Sequence, residues 1–81
     1  MEIKVRLFAL ARQLANCDTL TVAMSQQATV KDLRHEIAHK CPQLAGLMSQ
    51  MLIAVDSEYA GDATPVSERS DVACIPPVSG G

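Results

Sequence analysis

Glu2-Ile3-Lys4-Val5-Arg6-Leu7-Phe8 alternates cleanly, with Ile3, Val5 and Leu7 on one side and Glu2, Lys4 and Arg6 on the other. A period of two is the signature of a strand with one buried and one wet face. Phe8 breaks the polar set, which places a large apolar side chain on the outer face. Outward from this run, Ala9 to Ala15 is rich in helix formers, and Leu10 and Leu14 stand at i,i+4. That spacing predicts one or two helical turns. Asn16-Cys17-Asp18 reads as a turn, and Thr19 to Ala23 alternates again, with Leu20 and Val22 on one face. Consecutive strands of this kind pair as neighbours.

Thr29 opens a helix, with Asp32 three residues on as a variant of the capping box. Val30, Leu33, Ile37 and Cys41 keep the helical period until Pro42 stops it. Leu44, Leu47, Met48 and Met51 predict a short second helical piece. Leu52 to Val55 is an apolar strand, Glu58 to Ala60 a brief one turning at Gly61-Asp62, and Asp71 to Ile75 the last strand, ended by Pro76. Thr64 to Ser70 reads as loop. Two neighbouring strands, one long helix and returning strands give an α+β domain, a mixed sheet with the main helix on one face. This is the β-grasp, or ubiquitin-like, arrangement. If the last strand lies beside the first, whatever follows Ile75 leaves from the middle of the sheet.

Composition narrows the function classes. The chain has 81 residues, 48% of them hydrophobic, which fits one globular domain near the lower size limit for a self-sufficient core. One Phe, one Tyr and no Trp leave little for base stacking, and a net charge of −2 argues against a phosphate-binding surface. Nucleic acid is therefore not an expected partner. No apolar run is long enough to cross a bilayer and Met1-Glu2-Ile3-Lys4 is no signal peptide, so the cytoplasm is the expected location. Cys17, Cys41 and Cys74 form no C-x-x-C pair, which predicts neither a zinc site nor a redox dithiol. Cys41 and Cys74 are expected in the core, and Cys17 as an exposed, idle thiol in a polar loop.

The final stretch is Pro76-Pro77-Val78-Ser79-Gly80-Gly81. Paired prolines hold a chain extended and end hydrogen bonding to a neighbouring strand. Glycines lack a Cβ and thread where other residues would strike a wall. A stiff stem with a thin tip suits a probe for another protein's active site, although frayed termini are the common alternative. The expected organisation is a domain over 1–76 and an extended tail over 77–81.

Phe8-Ala9-Leu10-Ala11-Arg12-Gln13-Leu14 resembles the F-A-x-x-R-E-L segment of molybdopterin synthase small subunits. Thr29-Val30-x-x-Leu33 resembles the opening of their helix, and Ala54-Val55-Asp56 their A-V-N or A-V-D strand end. Asp71-Val72-Ala73-x-Ile75-Pro76-Pro77-Val78-Ser79-Gly80-Gly81 is similar to their D-E-V-A-x-x-P-P-V-[ST]-G-G ending. Two departures stand out: Arg69-Ser70-Asp71 replaces the frequent D-G-D, and Cys74 stands where an aromatic is common.

The resemblance implies a sulfur carrier. An ATP-dependent adenylating enzyme would activate the Gly81 carboxylate, and a sulfur donor protein would supply the atom that makes a thiocarboxylate. The tail, Pro76 to Gly80, would then enter the active site of a larger synthase subunit and deliver sulfur to a pterin precursor. No cofactor is expected to stay bound to this chain, and the ATP belongs to the partner. A hetero-oligomer with the large subunit is implied. A thiamine-pathway sulfur carrier and a ubiquitin-like modifier joined to lysines share the Gly-Gly chemistry and remain alternatives.

Three side chains are candidates for partner binding. Phe8 is out of phase on the outer face. Arg12 matches a family residue and suits an acidic partner surface. Ile75 either joins Phe8 on the open face or fills the core. His35-Glu36-Ile37-Ala38-His39 matches H-E-x-x-H, the zinc-protease helix signature. At 100° per residue the two histidines lie about 160° from the apolar stripe, so they are expected in solvent without a third ligand or a cleft.

Overall fold

The computed structural model describes residues 1–77. Its elements are β1 (Glu2–Leu7), α1 (Ala9–Ala15), β2 (Thr19–Ala23), α2 (Val30–Lys40), α3 (Pro42–Ala45), β3 (Leu52–Val55), β4 (Glu58–Tyr59) and β5 (Val72–Ile75). The strands form one five-stranded sheet in the order β2-β1-β5-β3-β4. The last strand is thus central, parallel to β1 and antiparallel to β3. It is the mixed sheet with helices of a β-grasp fold.

Alternation along the strands sorts side chains to two faces. Ile3, Val5 and Leu7 of β1, Val72 and Cys74 of β5 and Ile53 of β3 point into the core. There they meet Val30, Leu33 and Ile37 of α2, all fully buried, and Leu44, Met48 and Met51 beyond it. Each fully buried aliphatic side chain here contributes about 1.5–3 kcal/mol relative to exposure. Among the described residues no polar or charged residue is buried.

Local chemistry sets the element ends. The Asp32 carboxylate accepts hydrogen bonds from the Thr29 N–H (3.0 Å) and hydroxyl (3.1 Å), which fixes the start of α2. These bonds favour the ionised carboxylate and hold Asp32 below its usual range. Pro42 ends α2 and starts α3 at a position where its missing N–H costs nothing. The second helical piece is shorter than the apolar spacing suggests. It stops at Ala45, and Gly46 to Gln50 follow as turns that still bury Met48.

Arg34, only 18% exposed, ties this region together. Its guanidinium donates to the Met48 carbonyl and to Asp62 Oδ1 at 3.2 Å. Asp56 and Ser57 link β3 to β4, both with positive φ (53° and 71°), as a two-residue hairpin with a mirror-image turn requires. The Asp56 N–H donates to the Asp71 carbonyl (2.8 Å), and Asp56 Oδ1 accepts from the Asp71 N–H (2.9 Å). Asp71 is therefore a clamp before β5 rather than its first residue, which corrects the strand start to Val72. The Arg69-Ser70 departure is absorbed locally. Ser70 Oγ accepts from the Ser67 N–H (3.0 Å), and the Ser70 N–H donates to the Ser67 carbonyl (3.0 Å). Neither Arg69 nor Ser70 needs the positive φ that favours glycine.

Cys17 corrects another expectation. It is half-buried and packs against the core rather than standing free in solvent.

Candidate functional site

Among the described residues no helix covers the other face of the sheet. The pairing register lays out its side chains in rows. Leu52 of β3 stands opposite Ile75 of β5, and Ala54 opposite both Ala73 of β5 and Tyr59 of β4. Arg6 of β1 pairs with Ala73, and Leu7 with Cys74. Continuing that parallel register by one residue sets Phe8 beside Ile75. The Phe8 N–H donating to the Cys74 carbonyl at 3.2 Å holds it there. One row therefore reads Phe8, Ile75, Leu52, and the next Arg6, Ala73, Ala54, Tyr59.

Exposure follows from this layout. Phe8 is 40% exposed, Leu52 38% and Tyr59 71%, while Ile75 is half-buried between its neighbours. The two alanines form a floor that larger residues surround. A contiguous apolar surface around a strand end is what a protein partner covers. The open alternative for Ile75 is thereby resolved: Cys74 fills the core and Ile75 joins Phe8.

The departure at Cys74 removes nothing from this face, because the residue points the other way. Its burial pushes the thiol up to about 11, an effect partly offset by the nearby Arg34 charge. A thiol so protonated is a poor nucleophile.

Arg6 borders the patch. Its guanidinium holds the Asp71 carboxylate through two hydrogen bonds (3.0 and 2.9 Å) and lies 5.5 Å from the Phe8 ring centre. The pair is half-exposed on both sides, so it orients more than it stabilises. Arg12 lines a recess of about 200 Å³ together with Arg6, Leu7, Phe8, Asp18 and Thr19. Its only ion pair among the described residues is a long one to Asp18, 3.9 Å, with both partners exposed. Phe8, Arg12 and Ile75 thus share one end of the molecule.

A backbone kink puts them there. Ala9 takes φ 50°, a left-handed conformation that costs an L residue about 1–2 kcal/mol. It turns the chain sharply from β1 into α1 and leaves Phe8, the N-cap, extended on the open face.

The sequence reading missed Leu52, Tyr59 and Arg6. The signal for Leu52 was its alternation with Ile53. Tyr59 lies on a strand too short for a period to register, and Arg6 looked like any solvent-facing charge. Pro76 is half-buried just after the ladder ends at Ile75, and Pro77 is exposed. The proposed tail residues Val78, Ser79, Gly80 and Gly81 lie outside the described residues.

His35 and His39 are both exposed on α2, away from the open sheet face. Among the described residues no three His, Cys, Asp or Glu gather as a metal-binding group. No described helix is long and apolar enough to cross a membrane.

Residues 5–81 match the model of the ThiS family. The chain belongs to the ThiS family. Among curated relatives, the molybdopterin synthase sulfur carrier subunit of Arabidopsis thaliana is 40% identical over 81 residues, covering 100% of this chain and 84% of the relative. Within the family the chain is thus of the molybdopterin synthase sulfur carrier kind, which acts in molybdenum cofactor biosynthesis.

Solved structures agree on the fold. SAMP1 from Haloferax volcanii superposes with a TM-score of 0.87 at 24% identity, covering 100% of both chains. A molybdopterin converting factor subunit 1 of Pyrococcus furiosus gives 0.84 at 27% identity, covering 96% of this chain and 99% of that one. The protein–protein complex of subunits 1 and 2 of molybdopterin-converting factor from Helicobacter pylori gives 0.68 at 22% identity, covering 100% of both chains.

Proposed function

We propose that this protein carries sulfur as a thiocarboxylate on Gly81 and delivers it within a molybdopterin synthase complex. The observation that carries the reading is the central position of β5. The strand that leads to the Gly-Gly segment runs through the middle of the sheet and ends beside the apolar row Phe8, Ile75, Leu52. A partner that covers this row receives the following residues directly. From Ile75 to Gly81, an extended chain reaches at most about 20 Å, enough to enter a cleft in that partner.

The chemistry asks little of this chain's side chains. A carboxylate is a poor electrophile at neutral pH. In the adenylating partner, a Gly81 carboxylate oxygen would bond to the α-phosphorus of ATP and pyrophosphate would leave. Sulfide-level sulfur supplied by a donor protein, as hydrosulfide, would then attack the carbonyl carbon and AMP would leave, giving the thiocarboxylate with no change of oxidation state. The thiocarboxylate would pass to the large subunit, where its sulfur would bond to a pterin precursor and water would cleave the acyl C–S bond, returning the Gly81 carboxylate. Nucleotide and acid–base groups would sit on the partners. This chain contributes positioning, which alone is worth several kcal/mol to a reaction step.

The large subunit is proposed to dock on Phe8, Leu52, Tyr59 and Ile75, with Arg12 at the rim and Pro76-Pro77 as the stem. The Helicobacter pylori pair, solved as a complex, supports a partner of this kind. Three unpaired thiols fit a reducing compartment, the cytoplasm.

Incubation with the adenylating enzyme, ATP and a sulfur donor is expected to raise the intact mass by the sulfur-minus-oxygen difference, located on Gly81 by fragmentation. The same shift in a Cys17→Ser/Cys41→Ser/Cys74→Ser variant excludes a persulfide. Sulfur on a cysteine, or lysine conjugates accumulating without any thiocarboxylate, would overturn the reading in favour of a modifier.

A further inference from the structure

The sulfur-carrier reading gives the His-Glu-Ile-Ala-His run nothing to do, and no peptidase chemistry fits it. Its geometry still has content. His35 and His39 are one helical turn apart on α2, a spacing that brings side chains within reach of a common atom. Both are exposed. Among the described residues neither makes a hydrogen bond or ion pair, so their ring nitrogens are committed to nothing.

The helix beneath them is held in advance. Asp32 caps its start, Val30, Leu33 and Ile37 are fully buried, and Arg34 ties its middle to the Met48 carbonyl. Lys40, beside His39, is turned away onto the Thr21 carbonyl. An ion binding the two imidazoles would therefore order two side chains and no backbone.

We propose that His35 and His39 form a two-imidazole site for a borderline divalent transition ion, Cu(II) or Ni(II), with water completing its coordination. The donor set decides the class of ion. Imidazole suits copper, nickel and zinc, whereas magnesium and calcium require oxygen ligands. No third His, Cys, Asp or Glu gathers with the pair, so a closed tetrahedral zinc centre is excluded among the described residues. Between the remaining ions the general order of stability puts copper above nickel and zinc. The site lies on the helix side, opposite the open sheet face, so a partner on Phe8 and Ile75 leaves it accessible. It does not depend on the sulfur-carrier reading.

The test uses the full, tag-free chain titrated calorimetrically with nickel chloride, with magnesium chloride as control. Saturable binding of one Ni(II) per chain is expected, with no heat from magnesium and an unfolding midpoint that rises with nickel concentration. His39→Ala and His35→Ala are each expected to weaken nickel binding by about tenfold or more, with the metal-free midpoint unchanged because both side chains face solvent. A His35→Gln/His39→Gln variant, which keeps polar side chains, should behave alike and serves if an alanine variant folds poorly. Copper(II) electron paramagnetic resonance should show coupling to two imidazole nitrogens. Unchanged nickel affinity in the double glutamine variant, or binding that disappears only in Cys17→Ser, would overturn the proposal.

Discussion

The two faces of this sheet come from the same strands and differ in what finishes them. On the helix side, Ile3, Val5, Leu7, Ile53, Val72 and Cys74 meet α2 and are sealed. On the open side, Arg6, Phe8, Leu52, Tyr59 and Ile75 meet solvent across a floor of Ala54 and Ala73. Leu7 and Phe8 are adjacent residues of similar hydrophobicity, yet one is 2% and the other 40% exposed. Hydrophobicity alone therefore does not assign a residue to stability. The face it occupies does, and an apolar side chain on an uncovered face is available for binding.

That contrast has a stability half and a binding half. Leu33→Ala on the sealed side should lower unfolding free energy by about 2–5 kcal/mol, the usual cost of a buried leucine cavity. Urea denaturation measures it, and affinity of the remaining folded protein for the large subunit should be unchanged. Phe8→Ala on the open side should do the reverse. Truncating an aromatic at an interface centre commonly costs about 2 kcal/mol or more of binding, while the variant's urea midpoint should move little. If Phe8→Ala destabilises the free protein as much as Leu33→Ala does, the two faces are not separable.

A smaller effect tests how dry the sealed side is. An unfolded thiol titrates near 9.0, and burial in the fold pushes Cys74 up to about 11. The native state keeps a proton that the unfolded chain gives up, so stability is full below pH 9 and falls as pH rises toward 11. Cys74→Ala should lose that part of the alkaline decline, and the difference between the two pH profiles isolates the thiol from other groups. Identical profiles would mean that water reaches it.

The smallest expected effect concerns the kink that separates the faces. Ala9→Gly relieves the left-handed strain at φ 50° but loosens the unfolded chain, two opposing changes of about 1 kcal/mol each. Thermal unfolding should shift little, whereas Ala9→Val, β-branched in the same conformation, should be clearly destabilised.

Most of the fold was legible because its signals are local. The alternation of Glu2 to Leu7, the 3.6 period from Val30 to Cys41 and the stop at Pro42 each depend on neighbours in sequence. What the sequence withheld depends on register. Nothing in Tyr59 announces that it stands opposite Ala54, and Ile75 is equally at home in a core or on a surface until Leu52 is placed across from it. The polar run Asn16-Cys17-Asp18 suggested an exposed thiol, and tertiary packing drew Cys17 inward instead. Phe8 was visible because it broke an alternating pattern, whereas Arg6 kept the pattern and was overlooked.

The claim that joins these regions is that the sheet docks and Gly81 reacts. Deleting Gly81 and assaying dithiolene formation with the large subunit, adenylating enzyme, ATP and sulfur donor tests it most directly. The account predicts that sulfur transfer is abolished while the unfolding midpoint and large-subunit affinity stay near those of the intact chain. Full dithiolene formation by the shortened chain would contradict it.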